Sequence, residues 1–297
     1  MVIATLRSCG TCLGCATTME RTVYDQYRPL HNSPCSLRCS TFCYGLRWLA
    51  DSRRAGHWAA PLLLGAALLH GIAFATRWLE SGYPPLANGF EVFSFFAWGL
   101  ILVYLIVEHR SGQAVLGLFV TPLALLSLLI ALALPKKIQP LIPVLRSHWL
   151  MVHVAVSFAA FVTFSLAFVV ALAYLLQERV LRHKARSRWI WRLPALEAMD
   201  RLSHRLAALG LLLMTGSLLT GSTWAEQAWG VPWVWQPQQI AALTTWVIYL
   251  VYLYARHSVG WRGRRLAWLL VAGFVSVIVT FVGADLIAPG SLHNFLF

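Results

Sequence analysis

Charge is scarce in this chain of 297 residues, because only 12% of its residues are charged and only 11 are acidic. Soluble domains carry roughly 25% charged residues, so the composition excludes an ordinary soluble protein. Cysteine is absent after Cys43, which excludes a disulfide framework in the rest of the chain. A phosphate-binding glycine loop, a serine-nucleophile motif and a metalloprotease helix are also missing. These absences argue against an ATP-driven pump and against a membrane protease.

Apolar residues are abundant: 59% of the chain is hydrophobic, and the mean hydropathy is +0.65. A transmembrane helix needs about 20 mostly apolar residues, whereas a membrane barrel would show short alternating segments. We therefore predict an all-α, polytopic transmembrane helix bundle of about seven helices, forming one membrane domain over residues 57–297. The candidate spans are 57–76, 89–107, 113–134, 149–177, 204–223, 239–255 and 266–287.

The net charge of +13 is distributed unevenly about these spans, since 20 of the 24 Lys and Arg residues follow or precede helix ends that face one side. Those residues lie in 1–56, 108–112, 178–205 and 256–265. The positive-inside rule places this side in the cytoplasm. It predicts a cytoplasmic N-terminus, an external C-terminus and an external loop at 224–239. The basic residues are thus explained by membrane orientation, and no nucleic-acid partner is expected.

All six cysteines precede the first span, in a leader that we assign to residues 1–56. They read Cys9-x2-Cys12-x2-Cys15 and Cys35-x3-Cys39-x3-Cys43, a spacing that fits neither paired zinc knuckles nor a ferredoxin motif. We expect a poorly ordered cytoplasmic leader or a misassigned start of the reading frame, with metal or redox use as the alternative. Deletion of residues 1–50 should then leave the membrane domain intact.

Four of the 14 tryptophans lie close together, at Trp224, Trp229, Trp233 and Trp235. Indole rings are large, stiff and attractive to other π-systems, so they suit either the membrane–water boundary or a flat, porphyrin-sized ligand. An ordinary aromatic belt spreads its tryptophans over many helix ends. Their crowding into one predicted external loop, 224–239, favours a binding surface for a planar aromatic ligand.

Two histidines are predicted on the same side as this loop: His153 near the start of the fourth span, and His293 in the C-terminal tail. Two imidazoles on opposite faces of a haem complete a six-coordinate iron site. Each histidine taken alone could be a hydrogen-bonded interfacial residue, but the pair beside the tryptophans predicts a haem site. His70 lies in the middle of the first span, where an ionisable group is costly, and is a further candidate.

Taken together, these residues resemble the CcsA-type cytochrome c assembly family, which includes CcmC-like and HemX-like branches. The likeness covers about residues 57–297. The family's tryptophan-rich "WWD" segment is matched by Trp224-Ala-Glu-Gln-Ala-Trp229-Gly-x-x-Trp233-x-Trp235. Further matches are Pro85-Leu-Ala-Asn88-x-x-Glu91, Trp149-Leu-Met-x-His153 and the late His293.

The resemblance implies a multi-pass protein of the bacterial cytoplasmic (inner) membrane that handles haem for cytochrome c biogenesis. His153 and His293 would be axial ligands of a non-covalent, b-type haem. Trp224, Trp229, Trp233 and Trp235 would support the porphyrin. The implied partners are apocytochrome c and a membrane subunit with an extracytoplasmic domain. The chain would have no catalytic residue of its own and would be at most one subunit of a haem-lyase complex.

Four positions depart from the family pattern. The usual Trp-Asp-Pro-Lys-Glu reads Trp235-Gln-Pro-Gln-Gln239 here, and Tyr254 stands where related synthases carry a histidine. These changes keep a second interpretation open. In it, the chain is a HemX-like membrane protein with a weakened or lost haem site, and it influences tetrapyrrole synthesis or another membrane complex.

Overall fold

The computed structural model describes residues 53–136, 147–183 and 193–283, and it contains seven α-helices and no strand within those ranges. Residues 1–52 of the leader and His293 lie outside these ranges, whereas the leader's last four residues, 53–56, begin the first helix. The helices are α1 (Arg53–Ser81), α2 (Gly89–Ser111), α3 (Gly117–Ala133), α4 (His148–Arg182), α5 (Leu196–Trp229), α6 (Pro237–His257) and α7 (Arg264–Ile278). A 3-10 turn at Ala114–Leu116 precedes α3, and a π-helical turn at Val279–Gly283 follows α7. The predicted helical bundle is confirmed.

Six helical segments are long and apolar enough to cross a membrane, and α6 is the one of the seven helices that does not meet this measure. Its sequence mixes Gln, Thr, Tyr and Trp with aliphatic residues, which lowers its mean hydropathy. The helix nevertheless packs against α5 and α7 along the bundle. The chain is therefore a multi-pass membrane protein.

Successive helices run in opposite directions through the bundle, so its two ends differ in composition. We call the end that carries residues 224–239 the tryptophan end, and the opposite end, which carries residues 256–265, the basic end. The helix α5 stops at the tryptophan end because Gly230 adopts a left-handed backbone (φ 75°), and its N–H donates to the carbonyl of Glu226.

The helices α4 and α5 make the most extensive contact between described elements. Small residues on α5 allow this approach. A methyl group at Gly210 would collide with the ring of Phe164 on α4. That ring stacks on Tyr249 of α6 with a centroid separation of 3.6 Å, so three helices meet at one buried aromatic pair.

The first two helices are joined at the tryptophan end by a buried ion pair. Arg77 Nε of α1 donates to Glu91 Oε1 of α2 at 2.6 Å, and both side chains are almost fully buried. Arg77 also donates to the carbonyl of Lys136, while Glu91 Oε2 accepts from the N–H of Ala87. Glu91, which matched a family motif, therefore holds the turn between α1 and α2 in place.

The tryptophan-rich segment is not a single loop, and that part of the prediction is wrong. Trp224 and Trp229 lie in the last turns of α5, and the connection to α6 comprises only residues 230–236. The helix continues beyond the apolar run because no glycine in a left-handed conformation or proline interrupts it before Gly230. As a result, the first two tryptophans have fixed positions on a helix.

Candidate functional site

A cavity opens at the tryptophan end between α2, α4, α5, α6 and the π-helical turn. It encloses about 1120 Å³ of empty space, part of which is open to solvent. Its lining residues include Leu86, Val92, Phe93, Leu150, His153, Ser157, Phe158, Phe161, Met214, Ser217, Gly221, Trp224, Trp233, Gln238, Gln239 and Phe281.

The lining is chemically uniform, because aliphatic and aromatic side chains dominate and the polar ones are neutral hydroxyls, amides and one imidazole. Neither a carboxylate nor a lysine or arginine side chain belongs to the described residues of the wall. Such a wall suits a large apolar ligand whose polar groups are few. The described residues also contain no cluster of three His, Cys, Asp or Glu side chains able to hold a bare metal ion.

His153 provides the imidazole of this wall. Its Nδ1 lies 2.8 Å from the backbone carbonyl oxygen of Ser217 on α5. A carbonyl can only accept, so Nδ1 carries the proton and donates it. The second nitrogen, Nε2, then retains its lone pair and is the nitrogen that can bind a metal. The tautomer of His153 thus follows from its position against α5.

Gly221 makes this position possible. A methyl group at residue 221 would lie 2.7 Å from His153 Nδ1 and 2.8 Å from Cε1, which is closer than real side chains approach. The neighbouring Gly216 is different, because a methyl group there would meet only Val156 at 3.6 Å. Gly221 therefore leaves room for the imidazole ring, and Gly216 does not contact it.

The structure divides the four predicted tryptophans into two pairs. Trp224 is 3% exposed and lines the cavity, with Trp229 edge-on to it at a centroid distance of 4.9 Å. Trp233 also lines the cavity and contacts Trp235, which is 73% exposed, at 5.8 Å. One member of each pair lines the cavity, and the other packs against that tryptophan without belonging to the lining.

Trp233 has a further property that bears on ligand binding. Its indole Nε1 is buried and has no hydrogen-bond partner among the described residues, and the same is true of Gln238 Oε1. A buried donor without a partner is costly unless a ligand or water satisfies it. Both atoms belong to residues of the cavity wall, so a ligand with polar groups at its edge would complete the site.

His70 does not belong to this site. It is 1% exposed within α1, its ring stacks on Phe74 at 5.3 Å, and it is absent from the cavity lining. Tyr254, at the position of the family's histidine, is 63% exposed on α6 and is likewise absent from the lining. The structure therefore brings His153, Trp224 and Trp233 together and leaves His70 apart.

The sequence did not identify Ser157, Ser217 and Gln238 as residues of the wall. It also did not show that Gly221 makes room for the ring of His153. Small residues recur along α5, but their spacing in the sequence does not show which side chains pack against them. The contact partners on α4 depend on the rotation of two helices about their axes. Gln238 was visible only as the replacement of the lysine in the family motif.

The residues present fit a haem group. The cavity is apolar, is lined by two indole rings and is open to solvent on one side, and the Nε2 of its one imidazole is available as an iron ligand. The unpartnered indole N–H of Trp233 could donate to a polar group on the edge of the porphyrin. His293, the predicted second ligand, lies outside the described residues.

Comparison with known proteins identifies the family of this chain. Residues 86–292 match the family described as Cytochrome C assembly protein. The chain is 33% identical over 260 residues to the cytochrome c biogenesis protein CcsA of Thermosynechococcus vestitus, covering 74% of this chain and 81% of that protein. The CcsA protein of Crocosphaera subtropica is 31% identical over 303 residues, covering 84% and 88% of the two chains.

One solved structure, that of the cytochrome c haem lyase CcmF, resembles the fold with a TM-score of 0.62 at 14% identity. The match covers 86% of this chain and 46% of CcmF, so the chain spans about half the length of that structure. This likeness concerns the fold alone. The family match and the two CcsA relatives extend over most of the chain, and the chain therefore belongs to the cytochrome c assembly protein family.

Proposed function

We propose that this protein of cytochrome c biogenesis holds haem in the cavity beside His153 and presents it at the external face of the bacterial inner membrane for attachment to apocytochrome c. The observation that carries the proposal is the geometry of His153. Its Nδ1–H is committed to the carbonyl of Ser217, so Nε2 is left as an iron ligand at the wall of a large apolar cavity.

The residues of the site have separate roles in this proposal. His153 and His293 would hold the haem iron. Trp224 and Trp233 provide flat apolar contacts to the porphyrin, and Trp229 and Trp235 support them from behind. Bound haem supplies the vinyl groups to which cysteine thiols of apocytochrome c add. The protein itself positions the haem and excludes water from its faces.

The proposal needs partners that this chain does not contain. A membrane subunit with an extracytoplasmic domain would bring apocytochrome c to the exposed edge of the haem. The cavity is partly open to solvent, and the exposed Trp235 and Val231 lie beside it in the connection 230–236. This open rim is where we place the contact with the partner and the substrate.

The HemX-like alternative retains one favourable observation, because Tyr254 and the amides at 236, 238 and 239 replace ionisable residues of the family motif. The CcsA relatives described above support the assembly role instead. The two functions differ in their consequences. Loss of an assembly factor abolishes holocytochrome c, whereas loss of a regulator changes tetrapyrrole levels and leaves haem attachment in place.

The first experiment is the visible spectrum of the purified protein, oxidised and reduced, for the parent and for His153→Ala and His293→Ala. We expect six-coordinate, low-spin haem in the parent, and loss of haem or a five-coordinate spectrum in each variant. His70→Ala is the matched control and should keep the parent spectrum, because His70 lies outside the cavity. A parent that stays free of haem after haem supplementation would overturn the proposal.

A further inference from the structure

Three hydrogen bonds join His153, Ser157 and Ser217 in a closed circuit, and two of them cross between α4 and α5. The imidazole Nδ1–H donates to the carbonyl of Ser217 at 2.8 Å. The hydroxyl of Ser157 donates to the carbonyl of His153 at 2.6 Å, and the hydroxyls of Ser157 and Ser217 lie 2.5 Å apart. All three groups sit at the cavity wall, where Ser217 is 3% exposed.

The directions of these hydrogen bonds follow from the number of protons. Ser157 has one hydroxyl proton, and it is used on the carbonyl of His153. Ser217 must therefore donate to Ser157 Oγ. The Ser217 hydroxyl oxygen then turns a lone pair toward His153 Nδ1, 3.5 Å away, and cannot offer it a proton. Every member of the circuit thus favours the tautomer of His153 that is protonated on Nδ1.

This circuit has a chemical consequence for an iron ligand. A hydrogen bond from Nδ1–H to a carbonyl raises the basicity of the other ring nitrogen, and it fixes the orientation of the ring. Stronger donation from the imidazole stabilises ferric over ferrous iron and lowers the reduction potential. Serine hydroxyls that fix the Ser217 carbonyl relative to the His153 ring would therefore change the reduction potential of the iron without contacting it.

We propose that Ser157 and Ser217 are positioning residues for His153, which fix its tautomer and ring orientation and thereby set the reduction potential and the retention of the haem iron. This inference rests on the proposed function, because it requires His153 to bind haem. It goes beyond that function by assigning roles to two hydroxyl groups that are neither iron ligands nor porphyrin contacts.

The test compares Ser157→Ala/Ser217→Ala with Ser165→Ala in the full-length, haem-loaded protein. Ser165 is the matched control because it is a buried serine on α4 with the same kind of bond, to the carbonyl of Phe161 at 2.7 Å, and it does not line the cavity. We expect the double variant to keep low-spin haem, to show a higher reduction potential and to lose haem to apomyoglobin about 10-fold faster. Ser165→Ala should match the parent in all three measurements.

The outcomes separate the two proposals. A parent without haem, or haem that is insensitive to His153→Ala, would overturn the proposed function and this inference together. A parent with His153-dependent haem whose potential and rate of haem loss are the same in the double variant would overturn this inference alone. The variant Ser157→Thr/Ser217→Thr keeps both hydroxyls. Parent behaviour in this variant would show that the alanine substitutions act through the lost hydrogen bonds and not through side-chain volume.

A second measurement does not depend on the serine variants folding well. In His153→Gly, added imidazole can occupy the vacated position and donate to the carbonyl of Ser217, whereas 1-methylimidazole has no N–H to donate when it binds iron. We expect imidazole to restore the six-coordinate spectrum at about 10-fold lower concentration. Equal restoration by both compounds would overturn the inference, because the role of the two hydroxyls depends on the hydrogen bond from the ring N–H to the Ser217 carbonyl.

Discussion

At the scale of single residues, the site is defined by how closely His153 approaches the backbone of α5. The ring lies against Gly221, and its Nδ1–H donates to the carbonyl of Ser217. Interiors of proteins are packed as tightly as organic crystals, so a ring held this way has little freedom to move. The orientation of the proposed iron ligand is therefore determined by residues that carry no metal-binding group.

Gly221→Ala tests this packing directly. The added methyl group would lie 2.7 Å from His153 Nδ1, so the ring must turn and its hydrogen bond to Ser217 must lengthen. Overpacking of this kind costs about 1–3 kcal/mol, and we expect haem affinity to fall roughly 10-fold. Haem titration of the purified protein measures the change. Gly216→Ala is the control, and equal affinities in the two variants would contradict the role assigned to Gly221.

At the scale of helices, the sequence predicted the number and approximate positions of the elements because long apolar runs have few alternatives in a membrane. It misplaced the ends where polar residues continue a helix. The helix α5 begins at Leu196, with Glu197, Asp200 and Arg201 in its first turns, well before the predicted span at 204. At its other end it includes Trp224 and Trp229, which looked like loop residues.

The pairing of helix faces could not be predicted from the sequence. His153 and Ser217 are separated by 64 positions, and their contact depends on the rotation of α4 and α5. His70 shows the opposite case. Its position in a transmembrane segment marked it as a candidate ligand, yet the structure places it against Phe74, away from the cavity. Polar residues in a span thus identify candidates, and packing decides among them.

The buried ion pair between Arg77 and Glu91 gives a prediction at the scale of helices. Removal of one partner leaves a buried charge, which costs about 3–5 kcal/mol, whereas removal of both is much less costly. Glu91→Leu should therefore lower the melting temperature in detergent more than Arg77→Met/Glu91→Leu does. Arg182→Ala, which breaks a pair with an exposed arginine, should change it little. A double variant less stable than the single one would contradict this account.

At the scale of the whole molecule, the alternating helices place the cavity and the basic connection 258–263 at opposite ends of the bundle. The positive-inside rule predicts that the tryptophan end is external. This orientation determines on which side of the membrane haem would be offered, so it bears directly on the proposed function.

Two single-cysteine variants test the orientation. Val231 lies beside Gly230 in the connection to α6 and is 45% exposed, and Val259 lies at the basic end and is 51% exposed. In a background with the six native cysteines replaced by serine, a membrane-impermeant maleimide should label Val231→Cys in intact spheroplasts. It should label Val259→Cys only after lysis. The reverse pattern would place the cavity in the cytoplasm.

The circuit at His153 also makes the protein sensitive to mechanical displacement. The imidazole belongs to α4 and its hydrogen-bond acceptor to α5, so a slide of one helix along the other would change the length and the angle of this 2.8 Å hydrogen bond. Docking of a partner against either helix would then alter the colour and potential of a haem bound there. The absorption spectrum of such a haem would therefore report a change in the distance between the two helices, and it can be recorded in the intact membrane.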